Sequence, residues 1–392
     1  MKHFFTLLAL LALLACLCGT RCGTPRAAST DDFTVETYTP QFAAGFTLRG
    51  TPDGRSTLLT VHNPWQSAEG VEQRLFIARD GEEPPAGFDG QVVRAPVRHA
   101  VCMSSSHVAM FDILGEIRRV SGVSGIDYIT NPYVQEHRHC GEVRDVGYDT
   151  GMNFELLAAM QPDIVLLYGV AGENGAVTSK LRELDIPYVY VGDHVEESPL
   201  GKAEWLVAAA ELCNRREHGC RVFEGIRTRY EALRDEAAAQ RAARPAPCVM
   251  LNTPYRDTWF MPPVTGYMVR LIEDAGGRYV YARNTTGRTV PIDIEEAYLL
   301  ASEADLWLNA GAYPTLDALT ADNPKFADIP AVRKGLVYNN DRRATPAGGS
   351  DFWESGAVCP DRILRDLIRI FADPNADSEL HYYRKLRPSD AR

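Results

Sequence analysis

Between residues 200 and 243 no segment has strand character, whereas β-rich and helical segments alternate on both sides of it. Residues 218–243 are rich in Ala, Arg and Glu, and Val222, Phe223, Ile226, Tyr230 and Leu233 recur there at helical spacing. The pattern predicts one helix of about seven turns, stopped at Arg244-Pro245 because proline cannot continue it. A chain with a single long helix between two α/β units must close a separate sheet on each side of that helix.

The alternation itself is clear. Upstream, residues 97–103, 120–123, 163–168 and 188–191 read as strands, and 107–115, 154–160 and 177–184 as helices. Downstream, strands at 248–252, 279–281, 306–309 and 337–338 are interleaved with helices at 267–274, 294–301, 322–326 and 359–371. Strands alternating with helices mean parallel sheets. Residues 33–98 differ: four β-rich segments are divided by turn signals at Thr51-Pro52-Asp53-Gly54 and Asp80-Gly81, which predicts a small antiparallel β module. The expected division is a leader (1–15), a tether (16–32), the β module (33–98), lobe one (99–199), a helical linker (200–244), lobe two (245–373) and a polar C-terminal tail (374–392).

The leader reading rests on Met1-Lys2-His3 followed by an uncharged apolar run over 4–15. That run is too short to span a bilayer, which takes roughly 20 residues, and fits a secretory signal. It ends in Leu13-Leu14-Ala15-Cys16, which looks like a bacterial lipobox, so Cys16 is the expected lipidation site, with Cys18 and Cys22 as competitors. Lys and Arg number 41 against 52 Asp and Glu, a net charge of −11 with no basic run, which speaks against nucleic acid. Export permits disulfides, but the spacing of Cys213 and Cys220 does not settle whether they pair. His137-Arg138-His139-Cys140 has ligand chemistry but no positioned fourth ligand, and no metal centre is expected there. GxSxG, HExxH, a strand-following GxGxxG and a Walker loop are missing, so an enzyme is not expected.

Several stretches, in order, resemble one family. They are Glu116-Ile117-Arg118-Arg119-Val120-Ser121-Gly122-Val123-Ser124, Asn153-Phe154-Glu155 and Met160-Gln161-Pro162-Asp163-Ile164-Val165 before the long helix. After it come Leu271-Ile272-Glu273-Asp274-Ala275-Gly276-Gly277, Glu303-Ala304-Asp305-Leu306-Trp307-Leu308 and the run from Ile329-Pro330 to Val337-Tyr338. Together they resemble the substrate-binding proteins of ABC importers that carry metal chelates: ferric siderophores, haem and vitamin B12. The resemblance implies an α/β fold of two lobes with mainly parallel sheets joined by one long helix, here preceded by the β module. It further implies a monomer, lipid-anchored in the periplasm, that needs no cofactor and takes an iron or cobalt chelate between its lobes. Its partner would be a permease dimer in the inner membrane, docked through Glu155 and Glu273, which match the family's two docking carboxylates.

Ligands of open α/β sheets sit beyond the C-terminal ends of strands. That rule selects Ser105, Ser106, His107, Tyr128 and Tyr168 in lobe one, and Tyr255, Trp259, Arg283, Tyr313, Arg343 and Trp353 in lobe two. The serines could hold an anionic group or simply cap a helix. Aromatic rings suit a flat chelate, and arginine suits its carboxylates. Two alternatives differ in class. A receptor for a free metal ion needs His from both lobes, yet only His381 follows residue 218. A chelatase-like tetrapyrrole enzyme needs a catalytic group at the cleft, for which His107 is the evident candidate.

Overall fold

A computed structural model describes residues 29–148, 151–170, 172–241, 245–374 and 379–389. The leader and the candidate lipidation sites Cys16, Cys18 and Cys22 lie outside the described residues.

The first sheet runs in sequence order through β1 (Val35–Tyr38), β2 (Phe46–Gly50), β3 (Thr57–His62), β4 (Glu72–Ala78) and β5 (Gln91–Arg94). The first four strands are antiparallel as expected, but β5 lies parallel to β4 because the chain crosses back over residues 79–90 before re-entering the sheet. Alternation along the strands makes the sheet two-faced. Leu59, Val61, Leu75 and Ile77 join the main core, whereas Leu58 and Phe76 form a small outer cluster with Phe33.

Lobe one contains β6 (Ala100–Cys102), α1 (Ser105–Ile113), β7 (Val120–Val123), α2 (Pro132–His137), β8 (Arg144–Asp145), α3 (Phe154–Met160), β9 (Ile164–Leu167), α4 (Gly175–Glu183) and β10 (Tyr188–Tyr190). Its sheet is wholly parallel, ordered β10-β9-β6-β7-β8. α5 (Pro199–Glu204), α6 (Leu206–Leu212) and α7 (Arg216–Arg241) follow. Only α7, with 26 residues and about 39 Å of length, is the long strut. The expected linker therefore shortens at its front: every residue of α6 is buried, so α6 is core rather than connection.

Lobe two contains β11 (Cys248–Leu251), β12 (Thr258–Met261), α8 (Tyr267–Asp274), β13 (Arg278–Tyr279), β14 (Val290–Asp293), α9 (Ile294–Glu303), β15 (Leu306–Leu308), α10 (Leu316–Asp322), α11 (Pro330–Arg333), β16 (Val337–Asn339), α12 (Ser355–Val358), α13 (Pro360–Ala372) and β17 (Arg384–Lys385). Its main sheet has the order β13-β11-β15-β16-β17, parallel except for β17, and β12 and β14 form a separate hairpin. The end of the chain is thus not a polar tail. Leu380, Tyr382, Tyr383 and Leu386 are buried, and β17 closes the edge of the sheet; four large apolar side chains among polar ones outweighed the average composition. All six cysteines from Cys102 to Cys359 are free thiols, Cys213 and Cys220 included.

The β module is fused to lobe one by three buried carboxylates. Glu204 accepts the Tyr38 hydroxyl at 2.6 Å and the amides of Gln41, Phe42 and Ala43 at 2.7–2.8 Å. Glu196 accepts the Ala44 and Gly45 amides and the Trp205 indole N–H at 2.9–3.1 Å. Glu211 takes the Thr57 hydroxyl and Arg79, both at 2.6 Å, and Arg216 at 3.2 Å. A carboxylate is acceptor-only, so burial is tolerable where donors surround it as they do here.

Candidate functional site: the cleft between the lobes

The main sheet of each lobe contains one point where its strand order reverses. In lobe one the chain builds β6, β7 and β8 in one direction and then returns to the other side of β6 with β9 and β10. The loops after β6 and β9 therefore diverge and leave a crevice at their C-terminal ends. In lobe two the equivalent crevice opens between β11 and β15. The two crevices belong to one cleft, because α1, which follows β6, packs against α12, which follows β16.

Ser104, Ser105 and Ser106 lie at the lobe-one crevice. Ser104 is the N-cap of α1: its Oγ accepts the Ser106 amide and lies 2.9 Å from Ser106 Oγ. Ser106 is buried and occupied by this cap, leaving Ser105 the more accessible of the two predicted serines. Tyr168 ends β9 and is 37% exposed, edge-on to His194, whose Nε2 is 2.7 Å from the Gly169 carbonyl. His107 does not reach the cleft. It is wholly buried with its Nε2 4.0 Å from Asp193, and burial lowers it to about 4, so it is neutral near pH 7. Burial pushes the neighbouring Asp193 carboxyl up, but Lys202 at 3.3 Å, His107, His194 and the Ser106 hydroxyl together outweigh it and hold the carboxyl below its ordinary value.

The lobe-two crevice brings together Tyr255, Tyr313 and an unpredicted residue, Asn309. Tyr255 is 66% exposed with the Arg256 guanidinium 5.4 Å from its ring centre. Tyr313 donates its hydroxyl to Asp322 at 2.5 Å, which with burial raises it to about 12. Asn309, with φ of 58°, directly follows β15, and neither its side-chain oxygen nor its nitrogen has a partner although both are buried. Such unpaired polar groups call for explanation, and a ligand in the crevice supplies one. Sequence reading passed over Asn309 because asparagine after a strand is an ordinary turn residue.

Trp259 is not a site residue. It lies on β12, not after β11, and is sealed between Trp307 and Phe326 with its indole N–H on the Leu251 carbonyl at 2.8 Å. Arg283 stands at the outer end of the sheet, bonded to Glu296 and over the Tyr281 ring. Arg343 is tied to Asp351 at 2.6 Å. Tyr128 and Trp353, 55% and 48% exposed, flank the direct junction of the lobes. There the Thr130 amide donates to Glu354 at 2.7 Å, and the Thr130 hydroxyl reaches Asp351 at 3.3 Å. Gly349 lies so close that a Cβ would stand 1.9 Å from the Tyr128 carbonyl oxygen. Glu155 and Glu273 are exposed on α3 and α8, one on each lobe. Among the described residues no group of three His, Cys, Asp or Glu side chains is placed to hold a metal, and no helix is long and apolar enough to cross a membrane.

Two sheet-containing lobes on a rigid helix, with a crevice at each switch point, define a two-lobed binding protein. The chain belongs to the periplasmic binding protein family, whose model matches residues 101–344. It is also 24% identical to an uncharacterized lipoprotein of Methanocaldococcus jannaschii over 72% of this chain and 67% of the relative. A second uncharacterized lipoprotein of that organism is 24% identical, over 82% of each chain. Among solved structures, a periplasmic binding protein from Veillonella parvula superposes with a TM-score of 0.57 at 14% identity, covering 82% of this chain and 99% of the other. A periplasmic heme binding protein from Pseudomonas aeruginosa gives 0.55 at 18% identity, covering 74% and 98%. These likenesses bear on the fold.

Proposed function

We propose that this chain is the lipid-anchored, extracytoplasmic substrate-binding subunit of an ABC importer and that it holds a metal chelate in the cleft. The observation that carries the reading is the switch-point crevice in each lobe, with exposed Tyr168 in lobe one and exposed Tyr255 and the unpaired amide of Asn309 in lobe two. Flat rings on two sides and a few convergent polar groups suit a ferric siderophore, a corrinoid or haem better than a naked ion. The lipoprotein relatives support a lipid anchor, for which Cys16 is the expected site. Glu155 and Glu273, on separate lobes, are the docking carboxylates for the permease dimer, whose binding would report the lobes' separation.

The test is a titration of the full chain's tryptophan fluorescence with cobalamin, haemin and ferrioxamine. Saturable quenching by one of them is expected, with affinity lowered about tenfold by Tyr168→Ala or Tyr255→Ala. Glu155→Gln with Glu273→Gln should leave that binding intact and reduce uptake by cells. No saturable response to any of the three would sink the chelate reading.

A further inference from the structure

On the side of lobe one away from the cleft, a cavity of about 600 Å³ opens between the β module and the start of α7. It adjoins Ala95 and Pro96, just before β6, and so lies at the opposite end of the lobe-one sheet from the switch-point crevice. The chain as a whole carries −11, yet this cavity is lined by five arginines and three carboxylates. The arginines are Arg55, Arg79, Arg215, Arg216 and Arg221, and His218 stands beside them.

Two of the three carboxylates are already occupied; the third, Glu217, is exposed in the first turn of α7. Glu211 is fully buried and saturated by Arg79, Arg216 and Thr57. Asp80 pairs with Arg55 at 2.8 Å. Arg221 forms no ion pair with any described residue, and the buried Nε of Arg79 has no hydrogen-bond partner. The cavity therefore keeps unspent positive charge and donors.

The start of α7 adds to the imbalance. The Arg215 carbonyl accepts the Gly219 amide at 2.9 Å, which makes Arg215 the residue that precedes the first helical turn. That position normally carries Ser, Thr, Asp or Asn, whose side-chain oxygen caps the free amides. Arginine has no acceptor to offer. Two successive arginines at the positive end of a 26-residue helix also oppose its macrodipole, an effect offset in part by Glu217 in the first turn and by Glu116, which pairs with Arg215 at 3.1 Å. The first amides of α7 thus lack the usual side-chain acceptor, and an anion in the cavity would supply one.

We propose that this cavity is a second ligand site, independent of the cleft, for a phosphate-bearing anion. Arg55, Arg216 and Arg221 face the phosphate oxygens, arginine being suited to two-point contact with them. The hydroxyls of Thr37 and Thr51 and the free amides of the first α7 turn complete the lining. The volume exceeds what one phosphate fills, so the group comes attached to a second phosphate or to a glycerol. These correspond to a soluble polyphosphate and to the headgroup of the membrane to which the chain would be anchored.

Calorimetric titration of the full chain in neutral detergent micelles decides between them, with pyrophosphate and glycerol phosphate as probes at low ionic strength. Saturable binding is expected, weakened at least tenfold by the exposed pair Arg55→Gln with Arg221→Gln and weakened by added salt. Tighter binding of glycerol phosphate would identify a lipid headgroup; tighter binding of pyrophosphate, a soluble ligand. Arg333→Gln with Lys334→Gln, an equal charge change on exposed residues of lobe two, should have no effect. Equal loss in that control, equal loss in Tyr255→Ala, or no saturation with either probe would overturn the proposal.

Discussion

The seam between the β module and lobe one differs in kind from the junction between the two lobes. Three buried carboxylates cross the seam, and each is surrounded by donors from the module or from both sides. One continuous apolar core runs through the module and both lobes, so the difference lies in the polar contacts. The lobe junction has two buried carboxylates near the cleft, Glu354 and Asp351, which take the amide and the hydroxyl of Thr130 from the opposite lobe, and exposed aromatic rings at its edges. Charges buried among fixed amides lose those donors if anything moves. The seam is therefore held by more donor-saturated charges than the junction is.

The largest expected effect belongs to the seam. Glu204→Ala strands the Tyr38 hydroxyl and three amides of residues 41–43. At 1–3 kcal/mol per stranded donor, partly relieved by water, the loss should be about 4 kcal/mol in urea unfolding. A loss below about 1 kcal/mol would show that the seam rests on apolar contact alone.

Next in size is a pH effect at the junction. Burial raises Glu354 from 4.5 to about 7, against the lowering by its bonds to Thr130. The folded protein therefore keeps a proton that the unfolded chain has released. The stability this group contributes is fully present below pH 4.5 and is lost as pH rises through 7. Glu354→Gln keeps an acceptor for the Thr130 amide and cannot ionise. Its stability advantage over the parent should grow across that interval by about 3 kcal/mol, at 1.36 kcal/mol per pH unit. An advantage that does not change with pH would place the lobe contact elsewhere.

A smaller effect is expected at Gly349, where an added Cβ would meet the Tyr128 carbonyl at 1.9 Å. Backbone cannot swing aside as a flexible side chain does, so Gly349→Ala should cost about 2 kcal/mol or part the lobes. Small-angle scattering distinguishes the two: a larger radius of gyration at unchanged stability would show that the junction opens freely. The same substitution tried in the seam, at Gly45, meets the Trp205 ring at 2.6 Å, where no opening is available.

The two regions were also unequally legible in the sequence. The β segments, the long helix and the family motifs could be read because they depend on local period and order. Nothing local shows that Glu196, Glu204 and Glu211 meet donors about 150 residues away: amides for the first two, the Thr57 hydroxyl for the third. Trp259 and Trp353 were equivalent as sequence, two tryptophans in loop-like surroundings of lobe two. Only the hairpin of β12 with β14 turns the first inward against Trp307 and Phe326. The buried tyrosines of residues 379–389 were hidden by polar neighbours in the same way.

Trp353 gives the smallest expected change in stability and the sharpest contrast with the seam. Half its surface is open, and its ring approaches Phe352 edge-on at 4.7 Å. Trp353→Ala should therefore shift unfolding by only about 0.5 kcal/mol, whereas Trp259→Ala should cost about 4 kcal/mol through the cavity it leaves. If Trp353 borders the chelate, the same harmless substitution should weaken binding about tenfold, the loss of one aromatic contact of roughly 1.4 kcal/mol. A variant that loses stability but not affinity would make Trp353 a hinge-side packing residue and move the ligand toward Tyr168 and Tyr255. Loss of affinity without loss of stability would extend the ligand's contacts from the switch-point crevices to the junction itself.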